Sequence, residues 1–218
     1  VYKRQPKSTP LLLRSDPLRY HTLATNLINY QQFSLKKDDN PETYTTPIYP
    51  LYVSLFYQIF GERLWIIFLF QIFINSISCI IFYIVLSRLL NPRIAFCSSL
   101  FFAFDPFFII FTNSLITESV FVFFCVIATY FLSKSFSSAF EEKSSFNIIL
   151  SAVCFGLAAL TRPVALYIPI FICLFLLIFL RKRLIKFLNL AAIFIAVFFI
   201  TLSPWLIRNY LKFKSFAL

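Results

Sequence analysis

The sequence predicts an all-α polytopic membrane protein, and three observations carry that expectation. Hydrophobic residues make up 60% of the 218 and charged residues 13%, whereas an average soluble domain carries about 25% charged residues. Mean hydropathy is +0.82. Beyond residue 61 a series of apolar stretches follows, most of them near the length of about 20 helical residues that crosses a hydrocarbon core of about 30 Å. This balance excludes an ordinary cytosolic fold, a disordered tail and a nucleic-acid-binding module. The formal net charge of +11 does not argue otherwise, because clusters such as Arg181-Lys182-Arg183 with Lys186 flank apolar runs, where basic residues set membrane orientation. Membrane lipids are the expected surroundings, and no nucleic-acid partner is expected.

Residues 1–61 read as an extracytoplasmic loop with two amphipathic patches. The first is Asp16–Tyr30, with Leu18, Leu23, Leu27 and Ile28 on one side, and the second is Ile48–Phe60. Residues 31–47, rich in Lys, Asp, Asn, Thr and Pro, form a loop between them, and helices of this kind lie on a membrane face. Residues 62–210 read as a transmembrane bundle of about six spans: 64–90, 94–111, 115–132, 146–160, 164–180 and 188–207. The fourth is short. It breaks at Thr161-Arg162-Pro163, since proline has no amide proton and pushes the preceding residue out of the α region. Residues 211–218 begin a C-terminal region. A chain of this length without Met that opens on Val1 is expected to be a fragment. The five cysteines lie in apolar stretches without CxxC spacing, so neither a disulfide framework nor a thiolate metal site is indicated.

Orientation follows from the basic residues at the span ends. Arg88, Arg93, Lys134, Lys143 and the 181–186 cluster fall on one side, the cytoplasmic one. The opposite side receives residues 1–61, the 113–118 turn, the Arg162 break and residues 204–218. Asp16, Glu118, Arg162 and Arg208, from four distant parts of the chain, therefore meet at the extracytoplasmic boundary, and Asp105 joins them if Pro106 bends its span there.

Each of these residues has a local reading and a chemical one. Asp16, followed by Pro17, has the pattern of a helix N-cap. Glu118 is either a first-turn acid favoured by the helix dipole or a buried polar group at the edge of lipid. Asp105, among aromatics, is either a functional acid or the cap of a helix that restarts at Pro106. Arg162 and Arg208 are interfacial anchors or guanidinium forks for a phosphate or pyrophosphate. His21 is the sole histidine, which leaves little for triads or multi-His metal sites, and it reads as a surface or substrate-contact residue. With Gly61 and Gly156 the only glycines, there is no Gly-rich phosphate loop.

Several stretches carry a resemblance. They run from Ser15-Asp16-Pro17-Leu18-Arg19-Tyr20-His21 to Asn26-Leu27, then Phe33-Ser34, then Thr46-Pro47-Ile48-Tyr49-Pro50-Leu51-Tyr52. They continue through Gln71, Ser114-Leu115-Ile116-Thr117-Glu118, Gly156-Leu157-Ala158-Ala159-Leu160-Thr161-Arg162-Pro163 and Pro204-Trp205-Leu206-Ile207-Arg208-Asn209-Tyr210. In order and spacing the chain from Leu11 onward resembles the GT-C membrane glycosyltransferases related to protein mannosyltransferases (family 39). Within these it is most similar to the bacterial group with aminoarabinose and galacturonic acid transferases.

The resemblance implies a GT-C-type helix bundle with amphipathic outer-face helices in its first loop, lacking here the first span and the C-terminal part. It implies a transferase of the bacterial plasma (inner) membrane that works on the extracytoplasmic face. The donor would be a polyprenyl-phosphate-linked sugar and the acceptor a glycolipid, polysaccharide or protein. The first-loop aspartate of the family corresponds to Asp16, the expected general base for an inverting transfer, in place of the capping role that the local pattern favours. Many members have a second acid next to it, where this chain has Pro17. Expected substrate-binding residues are Tyr20, His21, Tyr49, Asp105, Glu118, Arg162 and Arg208. Cofactors stay open, a divalent metal among them. A reading from another class, a transporter or flippase for a lipid-linked or anionic substrate, predicts inverted repeats and broken helices near the midplane, and the sequence has no convincing repeat. A third, an assembly subunit, predicts that Asp16 is replaceable by Asn.

Overall fold

In the computed structural model the described residues are 16–36, 41–137, 143–181 and 183–216, and among them the secondary structure is entirely helical. Helices α1 (Asp16–Tyr30) and α2 (Ile48–Phe60) occupy the two amphipathic patches. They are followed by α3 (Leu64–Leu89), α4 (Pro92–Ala103), α5 (Pro106–Thr112), α6 (Glu118–Ser137) and α7 (Lys143–Ala159). A 3-10 turn at Pro163–Tyr167 leads into α8 (Ile168–Phe179), and α9 (Leu184–Phe213) ends the chain's helical part.

The breaks follow from local chemistry. Gly61 adopts φ 75° and its N–H donates to the Tyr57 carbonyl, a left-handed turn that closes α2 and redirects the chain into α3. Asn91 and Asp105 cap α4 and α5, accepting from the N–H of Arg93 and Phe108, each with a proline in the first turn. Within α9, Pro204 cannot donate to the Ile200 carbonyl, and the Ser203 hydroxyl donates to it at 2.7 Å instead. That replacement lets a proline sit in an apolar helix.

Among the described residues three single helices, α3, α6 and α9, are long and apolar enough to cross a membrane, and α4 with α5 would make a fourth, bent by 49°. The apolar runs ending at Leu160 and beginning at Val164 form shorter helices, because Pro163 separates them. Large apolar side chains cover the outside of the bundle, Phe101 at 82% exposure and Phe107 at 68% among them. A surface of that kind belongs in lipid, and the chain is an integral membrane protein.

Packing runs α4–α3–α6–α7–α9–α8, with α1 lying on α2 and α2 on α3. The α6–α7 contact is close because small residues line it: Ala128, Ala152, Ala158 and Ala159 are fully buried, and the Ser151 hydroxyl donates to the Ala128 carbonyl at 2.9 Å. Helix α7 also approaches α9 closely. A Cβ on Gly156 would lie 2.7 Å from the Thr201 Cβ. A second apolar cluster joins Ala24, Tyr49, Val53, Tyr57, Ile67, Leu115 and Val120, tying α1 and α2 to α3 and the start of α6.

Two expectations follow from this packing. Gly156→Val forces α7 and α9 apart at a cost of about 1–3 kcal/mol, read as a lower melting temperature of detergent-solubilised protein; an unchanged midpoint would show that the helices do not meet there. The second concerns His21, whose Nδ1 lies 2.8 Å from the Tyr57 hydroxyl at the α1–α2 contact. Burial lowers the His21 pKa from 6.5, partly opposed by Glu62. Below that value the unfolded chain binds more protons than the folded one, so this contribution is intact at higher pH and fades as the pH drops through it. The melting temperature should decline from about pH 7.5 to about pH 5.5, less steeply in His21→Gln; equal slopes would remove His21 as the cause.

Candidate active site

A polar recess of about 310 Å³ opens at one end of the bundle, lined by residues from four segments. Helix α1 contributes Asp16, Arg19 and Tyr20, the loop before α2 Tyr44, Thr45 and Thr46, the α5–α6 turn Thr117 and Glu118, and the break after α7 Thr161 and Arg162. Asp16 and Tyr20 are four residues apart and so face the same way along α1. Glu118 opens α6, where the helix dipole favours a carboxylate.

Arg162 has extended backbone angles, φ −143° and ψ 123°, immediately before Pro163. Its Nη1 lies 2.6 Å from Glu118 Oε1, and its guanidinium sits over the Phe121 ring at 5.9 Å. The turn carrying Arg162 is held from outside: the Thr46 hydroxyl donates to the Thr161 carbonyl at 2.7 Å and the Ile48 N–H to the Leu160 carbonyl at 3.2 Å. Burial raises the Tyr20 pKa, and the charges of Asp16 and Glu118 raise it further while Arg162 opposes them. The phenol therefore keeps its proton and can donate a hydrogen bond into the recess. The buried Thr45 hydroxyl has no partner among the described residues.

The structure brings Asp16, Tyr20, Glu118 and Arg162 together and places the other expected residues elsewhere. Tyr49 is fully buried behind Tyr20, ring centroids 4.9 Å apart, and its hydroxyl donates to Gln71 Oε1 at 2.7 Å. His21 faces Tyr57. Asp105 lies outside the recess, where its carboxylate accepts from the Phe108 N–H at 3.0 Å as the cap of α5; the bend at Pro106 does not carry it to the others. Arg208 lines a separate recess of about 520 Å³ with Gln31, Ser34 and Lys212. There its guanidinium stacks over Trp205 at 4.5 Å and donates to the Glu42 carbonyl at 3.0 Å. The two arginines thus do not share one oxyanion.

Residues absent from the sequence-based set also shape the recess. Arg19 pairs with the buried Glu42 at 3.9 Å, and its spacing from Asp16 on one helix was a usable signal. Thr45 had none, since a threonine in a loop matches any turn, while Thr46 and Thr117 lie in stretches that carry the resemblance. Among the described residues no three His, Cys, Asp or Glu side chains converge, and one of the two acids lining the recess is already paired with Arg162. These side chains do not make a metal cage of their own.

Residues 40–207 match the family model described as dolichyl-phosphate-mannose-protein mannosyltransferase. No curated protein and no solved structure matches the chain. The matched stretch includes Glu118, Arg162 and the whole α3–α8 run, while Arg208 lies one residue beyond its end and Asp16 and Tyr20 lie 24 and 20 residues before its start. With well over half of its length inside that match, the chain belongs to the dolichyl-phosphate-mannose-protein mannosyltransferase family and is a membrane glycosyltransferase of the GT-C type.

Proposed function

We propose that the recess transfers a sugar from a polyprenyl-phosphate carrier to a hydroxyl of a glycolipid, polysaccharide or protein acceptor. The observation that supports this reading most is the meeting of Asp16, Tyr20, Glu118 and Arg162 in one polar recess. In a family of membrane glycosyltransferases, that combination supplies a carboxylate base and a guanidinium within one site.

Asp16 accepts the proton of the acceptor hydroxyl as its oxygen attacks the anomeric carbon. The bond from that carbon to the carrier phosphate breaks on the opposite side, with inversion, and its electron pair leaves on the phosphate oxygen. Arg162 is placed to take up that growing negative charge. Glu118 holds the guanidinium by its Nη1 and leaves other N–H groups of the fork for the phosphate. The Tyr20 hydroxyl, which also meets the Thr117 side chain, is the group available to sugar or acceptor oxygens. No step is routed through a metal.

The extracytoplasmic face is supported by charge distribution. Arg88, at the end of α3, and Lys134, near the end of α6, meet around Tyr130, 4.8 Å and 5.2 Å from its ring centroid. Glu118 begins that same helix α6, so the recess lies at the opposite end from this basic cluster. Clustered Lys and Arg mark the cytoplasmic side.

Asp16→Asn should lower kcat by about 10²–10⁴-fold while the carrier still binds. The measurement is transfer of radiolabelled sugar from a panel of polyprenyl-phosphate sugars in native membranes, and wild-type turnover by the variant would remove Asp16 as the base. Arg162→Lys should cost roughly 10²-fold in kcat/KM, because an ammonium lacks the planar fork. Glu118→Gln, which keeps the shape and removes the charge, should cost less. A larger loss in Glu118→Gln than in Arg162→Lys would reverse the assigned roles.

A further inference from the structure

Gln71 and Asn75 lie one turn apart on α3, inside an otherwise apolar helix, and are 0% and 6% exposed. Burying two primary amides there is costly unless they are hydrogen-bonded. Gln71 Nε2 donates to the Thr112 carbonyl at 2.8 Å and to the Ser114 carbonyl at 3.0 Å, while its Oε1 accepts from the Tyr49 hydroxyl. Asn75 Nδ2 donates to the Ser119 hydroxyl at 3.2 Å. These contacts grip the chain at 112 and 114, ahead of Glu118, and at 119, directly after it.

We propose that Gln71 and Asn75 form a clamp on α3 that sets the position of Glu118, and through it of Arg162, so that they are positioning residues for carrier-phosphate binding. The inference rests on the transferase reading of the recess. The α5–α6 turn is irregular: the Ser114 carbonyl also accepts from the Ile116 N–H at 3.0 Å, while the Thr112 carbonyl would otherwise face the bundle interior without a helical donor. The Gln71 amide supplies both hydrogens to them and so fixes where α6 starts. Its carbonyl oxygen, bound by Tyr49, sets which way the amide points and links the clamp to the ring that backs Tyr20. Leucine fills the space but supplies none of these bonds. Tyr49→Phe removes one bond and leaves the grip on the turn in place, so its effect should be smaller.

The test uses detergent-solubilised protein purified by size exclusion, so that every value refers to folded molecules. Binding of decaprenyl phosphate, by thermal shift, and donor KM and kcat in the transfer assay are compared for wild type, Gln71→Leu, Tyr49→Phe, Glu118→Gln and the Gln71→Leu/Glu118→Gln double variant. Gln71→Leu should weaken decaprenyl phosphate binding and raise donor KM roughly tenfold. In the Glu118→Gln background it should add little, because a clamp that acts through Glu118 has nothing left to position. Losses that multiply across the two sites, or a Gln71→Leu protein with wild-type KM and binding, would overturn the clamp. Should Gln71→Leu fail to fold, Asn75→Ala and its double variant with Glu118→Gln decide by the same criterion. A wild-type protein that neither binds decaprenyl phosphate nor transfers sugar would instead overturn the transferase reading, and the clamp with it.

Discussion

The ring of Pro163 keeps Arg162 out of the α region, so α7 ends at Ala159 and the carbonyls of Leu160 and Thr161 lie beyond its last turn. Exposed to hydrocarbon, each would cost several kcal/mol. The chain satisfies them with residues 46–48, through the Thr46 hydroxyl and the Ile48 amide. That requirement fastens the segment before α2 to the bundle. It also leaves Arg162 extended, so its side chain turns toward Glu118 at the mouth of α6. The walls of the recess thus follow from the restriction that Pro163 places on the residue before it.

The charges in the recess divide their work. Among the described residues Arg162 pairs with Glu118, its Nη1 2.6 Å from the carboxylate Oε1. The pairing holds the guanidinium in a defined place at the recess that Asp16 also lines. The Tyr20 phenol, pushed toward its neutral form by burial and by both acids, adds a donor without adding charge.

Much of this was legible in the sequence, and what was not has physical causes. The amphipathic periods of residues 16–30 and 48–60 were readable because a helix on a surface must sort its faces. The convergence of Asp16, Glu118 and Arg162 followed from counting crossings and basic flanks. Asp105 misled because the same Asp-Pro pair that marks a polar residue among aromatics is also a good N-cap, and here the local bond to Phe108 N–H prevails. Tyr49 was expected at the substrate because it lies in a recognisable stretch, yet its ring supports Tyr20 from behind. Gln71 illustrates the harder limit: its partners are carbonyls more than 40 positions away, and backbone carbonyls leave no mark in a sequence.

The separation of the two arginines carries the argument one step further. Glu42 stands between them: its carboxylate faces Arg19 in the smaller recess and its carbonyl accepts from Arg208 in the larger one. Arg208 is further held over Trp205, Phe33 and Phe213, an arrangement that fixes a guanidinium by its faces as well as its edges. Its nearest consequence is to pin the chain at Glu42, and that same chain, a few residues on, supplies Thr45 and Thr46 to the recess of Asp16 and Arg162. Arg208 therefore holds the backbone that leads to Thr45 and Thr46, as Gln71 and Asn75 hold the chain on either side of Glu118. A reacting site at a membrane boundary has water on one side and lipid on the other, and neither holds a loop in place. The burden of rigidity falls on side chains that bond to backbone carbonyls, whether they come from beneath the recess, as Gln71 does, or from its rim, as Thr46 and Arg208 do.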